Sequence, residues 1–367
     1  MYVKYLQLIN FRNYKELFIE LSKNVNVFIG DNAQGKTNIL ESIYYSSIGR
    51  SHRTNKDKEM INWNAQNAYI QLYVANQRLD KKIEIKIFKE GKKGINVNTI
   101  KINKINDLFK ILNVVMFSPE DLKVVKESPS YRRKFLDIEL CKLNEKYYYN
   151  LVQYNKVLNE RNALLKKNDE NNKNIIDVYD KQLSKYGSYL IKSRENYVNE
   201  MNFIGNNIHR DITSAKENIK FEYISTISLK GNIENDFYNG LVKNRKNDFE
   251  KKITSIGPHR EDFSIKINDI DVRSFGSQGQ QRTSILTIKF SSLQIIKNLT
   301  GEYPVLLLDD VLSELDSKRQ KYILKSIKDI QTIITCTGLE HIENYIDDNG
   351  KIFKVANGNC IEYKRYK

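Results

Sequence analysis

The chain has 367 residues, 40% of them apolar, with 60 Lys and Arg against 45 Asp and Glu and a net charge of +15. Such a length suits one large domain or two, here read as two, and no run approaches the roughly 18 uninterrupted apolar residues of a membrane-spanning helix. Three dispersed cysteines, Cys141, Cys336 and Cys360, in no CxxC pattern, exclude a disulfide scaffold and read as reduced thiols.

The N-terminus, Met1-Tyr2-Val3-Lys4, alternates polar with apolar and lacks the apolar stretch of an export signal, so a cytoplasmic protein is expected. The positive excess raises affinity for polyphosphates such as nucleic acid. It equally fits a source rich in Lys, Asn, Ile and Tyr, and charge alone leaves both readings open. The basic clusters Arg50 to Arg53 and Arg132 to Lys134 read either as phosphate contacts or as a solvated face or internal ion-pair partners.

In chain order, Val3, Tyr5, Gln7 and Ile9 alternate with their neighbours as in a strand, and Val25 to Ile29 is a nearly all-apolar, β-rich run that predicts a buried one. A glycine loop follows, then Asn38 to Ile48 with Ile39, Leu40, Ile43 and Tyr44 at helical spacing. Tyr69 to Val74 and Lys82 to Phe88 predict an antiparallel meander, turned by Gly91 and Gly94. Next comes a heptad stripe, Tyr147, Leu151, Tyr154, Leu158 and Leu165, which breaks at Lys166 to Lys173 and resumes at Ile176, Tyr179, Leu183, Tyr186, Leu190, Tyr197, Met201 and Ile204. The break predicts the turn of a helical hairpin whose first arm is about 30 Å long. The stripe reads as core or as a partner-binding seam. Strands return beyond Phe221, with apolar runs Val305 to Leu308 and Thr332 to Ile334. Both ends of the chain thus assemble an α/β core of mixed sheets around the glycine loop, with a helical lobe inserted that holds a short antiparallel coiled-coil hairpin.

Three patterns carry chemistry. Gly30-Asp31-Asn32-Ala33-Gln34-Gly35-Lys36-Thr37, continued by Asn38, fits GxxxxGK[ST] in the strand, loop, helix order that a phosphate loop needs. Its glycines let backbone N–H groups face phosphate oxygens, the Lys36 ammonium reaches the β and γ phosphates, and the Thr37 hydroxyl ligates magnesium. Val305 to Leu308 end in Asp309 and Asp310; Asp309 is assigned to the magnesium shell and Asp310 to positioning or deprotonating the attacking water. Ser277-Gln278-Gly279-Gln280-Gln281 precedes a helix predicted from Arg282 to Leu293. It reads either as a polar helix cap or as a presenter of N–H groups to a γ-phosphate.

The order of phosphate loop, Ser277-Gln278-Gly279-Gln280, Asp309-Asp310 and Ser313-Glu314-Leu315-Asp316 resembles the Walker A, signature, Walker B and D-loop of ABC-type ATPases of the SMC-like group. Further segments are similar to a DNA-recombination branch of that family: Asn10 to Tyr14, Gly49 to Thr54, Phe117 to Leu122, Arg132 to Asp137 and Gly257 to Arg260. The resemblance implies an ABC-ATPase head built from 1–117 and 221–367 with a helical lobe at 118–220, and ATP and Mg2+ as cofactors. It implies that Ser277, Gly279, Gln280 and Asp316 act in trans, so that ATP joins two copies of the chain. It further implies sequence-independent binding of single-stranded, duplex or gapped DNA, help in loading recombinase during recombinational repair and replication restart, a link to the SOS response, and RecR- and RecO-type partners. Two departures stand out. Asp310 occupies a position where the family carries glutamate, which implies slow hydrolysis with Lys36 and Asp310 as the catalytic pair. No switch histidine or lid glutamine is evident: Thr335-Cys336-Thr337 with His341 beyond, and Glu120, occupy those regions. The nucleotide-binding subunit of a membrane transporter remains the alternative function.

Overall fold

The computed structural model describes residues 1–76, 79–167, 173–338, 346 and 349–363. The chain divides into two compact units, Met1–Asp121 with Ser292–Lys367, and Leu122–Ser291. Among the described residues no helix is long and apolar enough to cross a membrane.

The first unit opens with β1 (Tyr2–Phe11), β2 (Tyr14–Glu20), β3 (Val25–Ile29), α1 (Lys36–Ile48), β4 (Asn67–Ala75), β5 (Lys81–Phe88), β6 (Lys93–Val97), β7 (Ile100–Lys101), α2 (Asn106–Phe109) and β8 (Val114–Phe117). Strands β2-β1-β4-β5-β6-β7 form an antiparallel sheet that contains the predicted meander. Its alternation is not uniform. A register shift between Val3 and Tyr5 leaves Val3, Leu6, Leu8 and Phe11 buried, whereas Tyr5, Gln7 and Ile9 share the opposite face. A strict period of two does not survive a bulge, so Val3 and Tyr5, which the sequence placed on one face, lie on different ones.

The second unit holds α3 (Leu122–Lys126), α4 (Pro129–Leu143), α5 (Glu145–Lys167), α6 (Lys173–Thr213), β9 (Ile219–Ile224), α7 (Ile233–Lys251), β10 (Asp262–Ile267), β11 (Ile270–Asp271) and α8 (Val272–Phe275). Helices α5 and α6 pack together, with Tyr147, Tyr154, Leu158, Leu165, Leu183 and Leu190 of the heptad stripe buried. The stripe is core. The turn expected between them falls at 168–172, outside the described residues. With 41 residues, α6 is about 60 Å long and outreaches α5, and it also packs against α7 and β9. Among these helices the Arg161 guanidinium, fully buried, donates to Asp180 Oδ1 and Asp248 Oδ2, each at 2.7 Å, and to Thr254 Oγ1 at 2.9 Å. A buried charge requires such pairing.

The sequence predicts a lobe ending at residue 220, whereas the compact unit runs on to Ser291. The reason is pairing: β9 joins β10 and β11 in a three-stranded antiparallel sheet, and α7 lies on α6. Residues 221–291 are therefore held by the helical unit. The chain returns to the first unit along α9 (Gln278–Thr300), which starts four residues before the predicted Arg282.

The remaining elements are β12 (Val305–Asp309), α10 (Ser317–Ser326), β13 (Thr332–Cys336), β14 (Lys351–Ala356) and β15 (Asn359–Tyr363). They complete a sheet of order β15-β14-β3-β13-β12-β8, parallel throughout except for the edge strand β15. Strands β12 and β13 are buried at every residue, as their continuous apolar runs require of central parallel strands. The order brings the C-terminal ends of β3, β13 and β12 side by side, and there the phosphate loop and Asp309 meet.

Candidate nucleotide site

The loop from Gly30 to Gly35 leaves the central strand β3 and feeds α1. Gly35, the residue capping α1, has φ +114°, and a Cβ there would lie 2.5 Å from Asn13 Nδ2 and 2.9 Å from the Tyr14 hydroxyl. Both the backbone angle and the close approach demand glycine. Asn13 and Tyr14, from the turn between β1 and β2, hold the loop from outside. Asn13 Nδ2 donates to Gln34 O at 2.9 Å, Asn38 Nδ2 donates to Asn13 Oδ1 at 2.8 Å, and the Tyr14 hydroxyl donates to Gly35 O at 3.1 Å. From the turn between β14 and β15, Asn357 N donates to Gln34 Oε1 at 2.6 Å. The loop is thus held in shape by side chains and main chain of remote turns.

Lys36 is buried, and its Nζ donates to Gly30 O at 2.6 Å and Asp31 O at 3.1 Å, which places the ammonium inside the curl of the loop. Thr37 Oγ1 donates to Asp309 Oδ1 at 2.8 Å, joining residues 272 positions apart. The same carboxylate oxygen accepts from Thr335 Oγ1 at 2.9 Å, and the Thr335 hydroxyl in turn accepts from Asp310 N at 3.0 Å. Thr335 on β13 therefore ties the two acids together, and no sequence signal marked it for this role. Asp310 sits at φ +52°, an uncommon angle for a residue other than glycine, and burial raises its pKa despite nearby Lys36.

A second cluster braces α1. Glu41, fully buried, accepts from Arg12 Nε and Nη2 at 2.9 and 2.7 Å and from the Ser51 hydroxyl at 2.5 Å, with Arg53 Nη1 at 3.5 Å. Burial pushes this carboxyl upward, but these hydrogen bonds and the two guanidinium charges outweigh it and hold the pKa below the ordinary value. Arg53 Nη1 also donates to Asn38 Oδ1 at 2.9 Å. Arg12 and Glu41 had no role in the sequence reading, and Arg12 to Glu41 is a bidentate pair whose partners lie 29 residues apart.

Ser277 and Gln280 form a capping box on α9: Gln280 N donates to Ser277 Oγ at 3.2 Å, and Ser277 N donates to Gln280 Oε1 at 3.0 Å. Ser277, Gly279 and Gln280 belong to the second unit, whereas the phosphate loop and Asp309 belong to the first. Asp316 caps α10 by accepting from Arg319 N at 2.9 Å and pairs with the Arg319 guanidinium. Glu120 is exposed on the turn after β8, the neighbour of β12. His341 lies outside the described residues.

Thr37 and Asp309 offer one hydroxyl and one carboxylate, hard oxygen donors that suit magnesium and leave most of its positions for phosphate and water. Among the described residues no cluster of three or more His, Cys, Asp or Glu exists that would cage a metal by itself. The arrangement therefore fits a cation that arrives with a polyphosphate.

A family model described as the RecF/RecN/SMC N terminal domain matches residues 2–360. The DNA replication and repair protein RecF of Clostridium tetani is 68% identical over 366 residues, covering 99% of this chain and all of that protein. The same protein of Clostridium novyi is 67% identical over 358 residues, covering 98% and 99%. Among solved structures, the recombination mediator protein RecF with ATP, of the RecFOR pathway, gives a TM-score of 0.91 at 38% identity, covering 99% of this chain and 98% of that one. An Smc head domain from Pyrococcus furiosus, with a TM-score of 0.58 at 16% identity, covers 99% and 96% and shares the fold.

Proposed function

The chain belongs to the RecF/RecN/SMC family, to its RecF members, and on that premise we propose how it works as a DNA replication and repair protein that binds ATP. The observation that carries the reading is Asp309 Oδ1, which accepts at once from Thr37 of the phosphate loop and Thr335 of β13. That oxygen stands where a magnesium ion carried by ATP would be shared between loop and strand.

In this reading Gly30 to Asn38 enclose the phosphates, Lys36 neutralises charge on the β and γ oxygens, and Thr37 with Asp309 hold the metal. Magnesium, when bound, offsets the negative charge that develops during phosphoryl transfer. Asp310 orients or deprotonates the attacking water. Its side chain is shorter than glutamate, its φ is unfavourable and burial favours its protonated form, all of which support slow turnover. ATP then serves chiefly to join two copies: Ser277, Gly279, Gln280 and Asp316 of one chain close over the nucleotide of the other. The phosphate loop and Asp309 come from Met1–Asp121 with Ser292–Lys367, and Ser277, Gly279 and Gln280 from Leu122–Ser291. The joined pair holds single-stranded, duplex or gapped DNA without sequence preference, acts in the cytoplasm with RecR- and RecO-type mediators, and releases on hydrolysis.

The transporter alternative is not favoured, since full-length relatives at 61–68% identity are RecF proteins. The decisive measurement is the mass in solution and the salt-dependent DNA affinity, each with ATP, with ADP and without nucleotide. ATP should roughly double the mass and tighten DNA binding. Lys36→Met should abolish both responses, whereas Asp310→Asn should keep both while turnover falls about 10²-fold or more. If ATP changes neither mass nor affinity, the switch reading fails.

A further inference from the structure

The structure sorts the two basic clusters that the sequence left open. Arg132 is an internal partner: it is buried, and its Nε and Nη2 meet the two carboxylate oxygens of Asp262 at 2.6 and 2.9 Å. Arg12 and Arg53 serve buried Glu41. Arg133 differs. Its Nη1 donates to the main-chain carbonyl of Glu261 at 2.8 Å, and it has no carboxylate within ion-pair distance among the described residues. Arg260, the last residue of Gly257-Pro258-His259-Arg260, is exposed, and its Nε donates to the Thr254 carbonyl at 3.1 Å, with no ion pair among the described residues.

Both anchors sit on one braced segment within the second unit. Thr254 N donates to Asn162 Oδ1 at 2.8 Å, Ser255 N to Asp248 Oδ1 at 3.0 Å, and Gly257 N to Thr226 Oγ1 at 2.9 Å. Arg194 Nη1 donates to Pro258 O at 2.5 Å, and His259 bridges the Tyr154 hydroxyl and the Thr254 carbonyl at 2.7 and 3.0 Å. The nearby acids are already engaged. Asp262 serves Arg132, Asp137 serves buried Arg194, and Glu261 accepts from the Tyr223 and Ser225 hydroxyls and from Thr226 N. Two of the four arginines, Arg132 and Arg194, thus hold a carboxylate each, Glu261 is taken up by hydroxyls and a main-chain N–H, and Arg133 and Arg260 are left without an ion pair among the described residues. Burial first, then the charge of Arg194, lowers the pKa of Arg133 against the opposing pull of Asp262 and Asp137, which are themselves bonded to other arginines.

A guanidinium has five N–H donors in a fixed plane; each of these two spends one on the main chain and keeps the rest for a ligand. Tethering by one edge holds the fork in place and lowers the entropy lost on binding. We propose that Arg133 and Arg260 form a fork that grips the phosphodiester backbone of duplex DNA. Main-chain anchoring supplies position without base information, as sequence-independent binding requires, and the chain's +15 charge draws in a polyanion. The inference rests on the DNA-binding reading above.

The test is fluorescence anisotropy of a labelled duplex with the ATP-bound full chain across a salt series, for wild type and for Arg133→Gln with Arg260→Gln. The double variant should weaken binding by about tenfold per arginine, and the plot of log affinity against log salt should become shallower by about one per arginine. Binding of a fluorescent ATP analogue and the ATP-driven mass change should stay as in wild type. A control pair, Lys89→Gln with Lys92→Gln on an exposed turn, removes the same charge and should bind nearly as wild type. Arg133→Lys with Arg260→Lys, which keeps charge without the fork, should keep the salt slope and lose affinity, and it decides the matter if the Gln variant does not fold. Unchanged affinity in the Gln variant, or wild-type affinity in the Lys variant, overturns the fork. So does equal loss in the control pair, or loss that follows failed nucleotide binding or failed mass change. Wild-type chain that binds no duplex sinks the DNA-binding reading and the fork together.

Discussion

Single residues set the chemistry through what they are bonded to. Asp309 and Asp310 are adjacent in sequence but lie in different surroundings: the Asp309 carboxylate is held by two hydroxyls, while Asp310 is twisted to φ +52° and tied through its main chain, its N–H to Thr335 and its carbonyl to the Ser313 hydroxyl. One acid is thereby fixed beside the phosphate loop, and the other turned off the strand axis. His259 shows the same dependence on partners. Since the Thr254 carbonyl only accepts, Nε2 carries the proton and Nδ1 accepts from the Tyr154 hydroxyl, so the ring is held neutral, and burial with three nearby arginines lowers its pKa to about 4. The unfolded chain protonates its histidine near pH 6.5, before the folded one does, so this contribution is complete above that pH and is lost as pH falls toward 4, by about 3 kcal/mol. Urea denaturation at a series of pH values should show the loss in wild type and a flatter acid limb in His259→Asn. Parallel curves for the two proteins would refute it.

At the scale of elements, what matters is which segments brace which. The phosphate loop is held by two turns remote in sequence, one at Asn13 and one at Asn357, and α1 is fastened to the turn between β1 and β2 through Glu41 and Arg12. In the second unit, the 254–261 segment is held by α5, α6 and the region after β9. Gly257 is its tightest point, with φ +117° and a Cβ position 2.6 Å from Phe237 Cζ and 2.7 Å from the Tyr154 hydroxyl oxygen. Gly257→Ala should therefore cost roughly 2–4 kcal/mol from backbone strain and overpacking together. Calorimetry would register this as a lowered Tm, and DNA affinity should fall with it as the Arg260 anchor shifts; a Tm equal to wild type would show that the segment yields. Helix and strand existence was legible here because α1, β3, β12 and β13 carry strong patterns. The bulge between Val3 and Tyr5 was not, since nothing local announces an extra residue whose cause is pairing with β4.

For the whole molecule, the central question is why the signature segment and the phosphate loop belong to separate units. Ser277 is committed within its own chain to a capping box with Gln280 at the start of α9. If ATP joins two copies there, Ser277→Arg should leave ATP affinity at the phosphate loop nearly unchanged and abolish the ATP-driven mass increase, as read by light scattering. Retention of the increase would place the interface elsewhere. Much of this plan was readable from residue order: GxxxxGK[ST] after a buried run, two acids after another, and a serine-glycine segment between them. Those signals are local, because a loop that wraps phosphate and a strand that ends in acids are each written in consecutive residues. The sequence by itself therefore determined the nucleotide loop, the acids at its side and the mixed α/β class. Only the tertiary structure decided that Thr335 joins Asp309 to Asp310, that Glu41 collects Arg12 and Arg53, that residues 221–291 fold with the helices, and that Arg132 is neutralised while Arg133 is not. Each of these depends on partners distant in sequence, and the pairing of a charge is a property of its neighbours in space, which residue order does not specify.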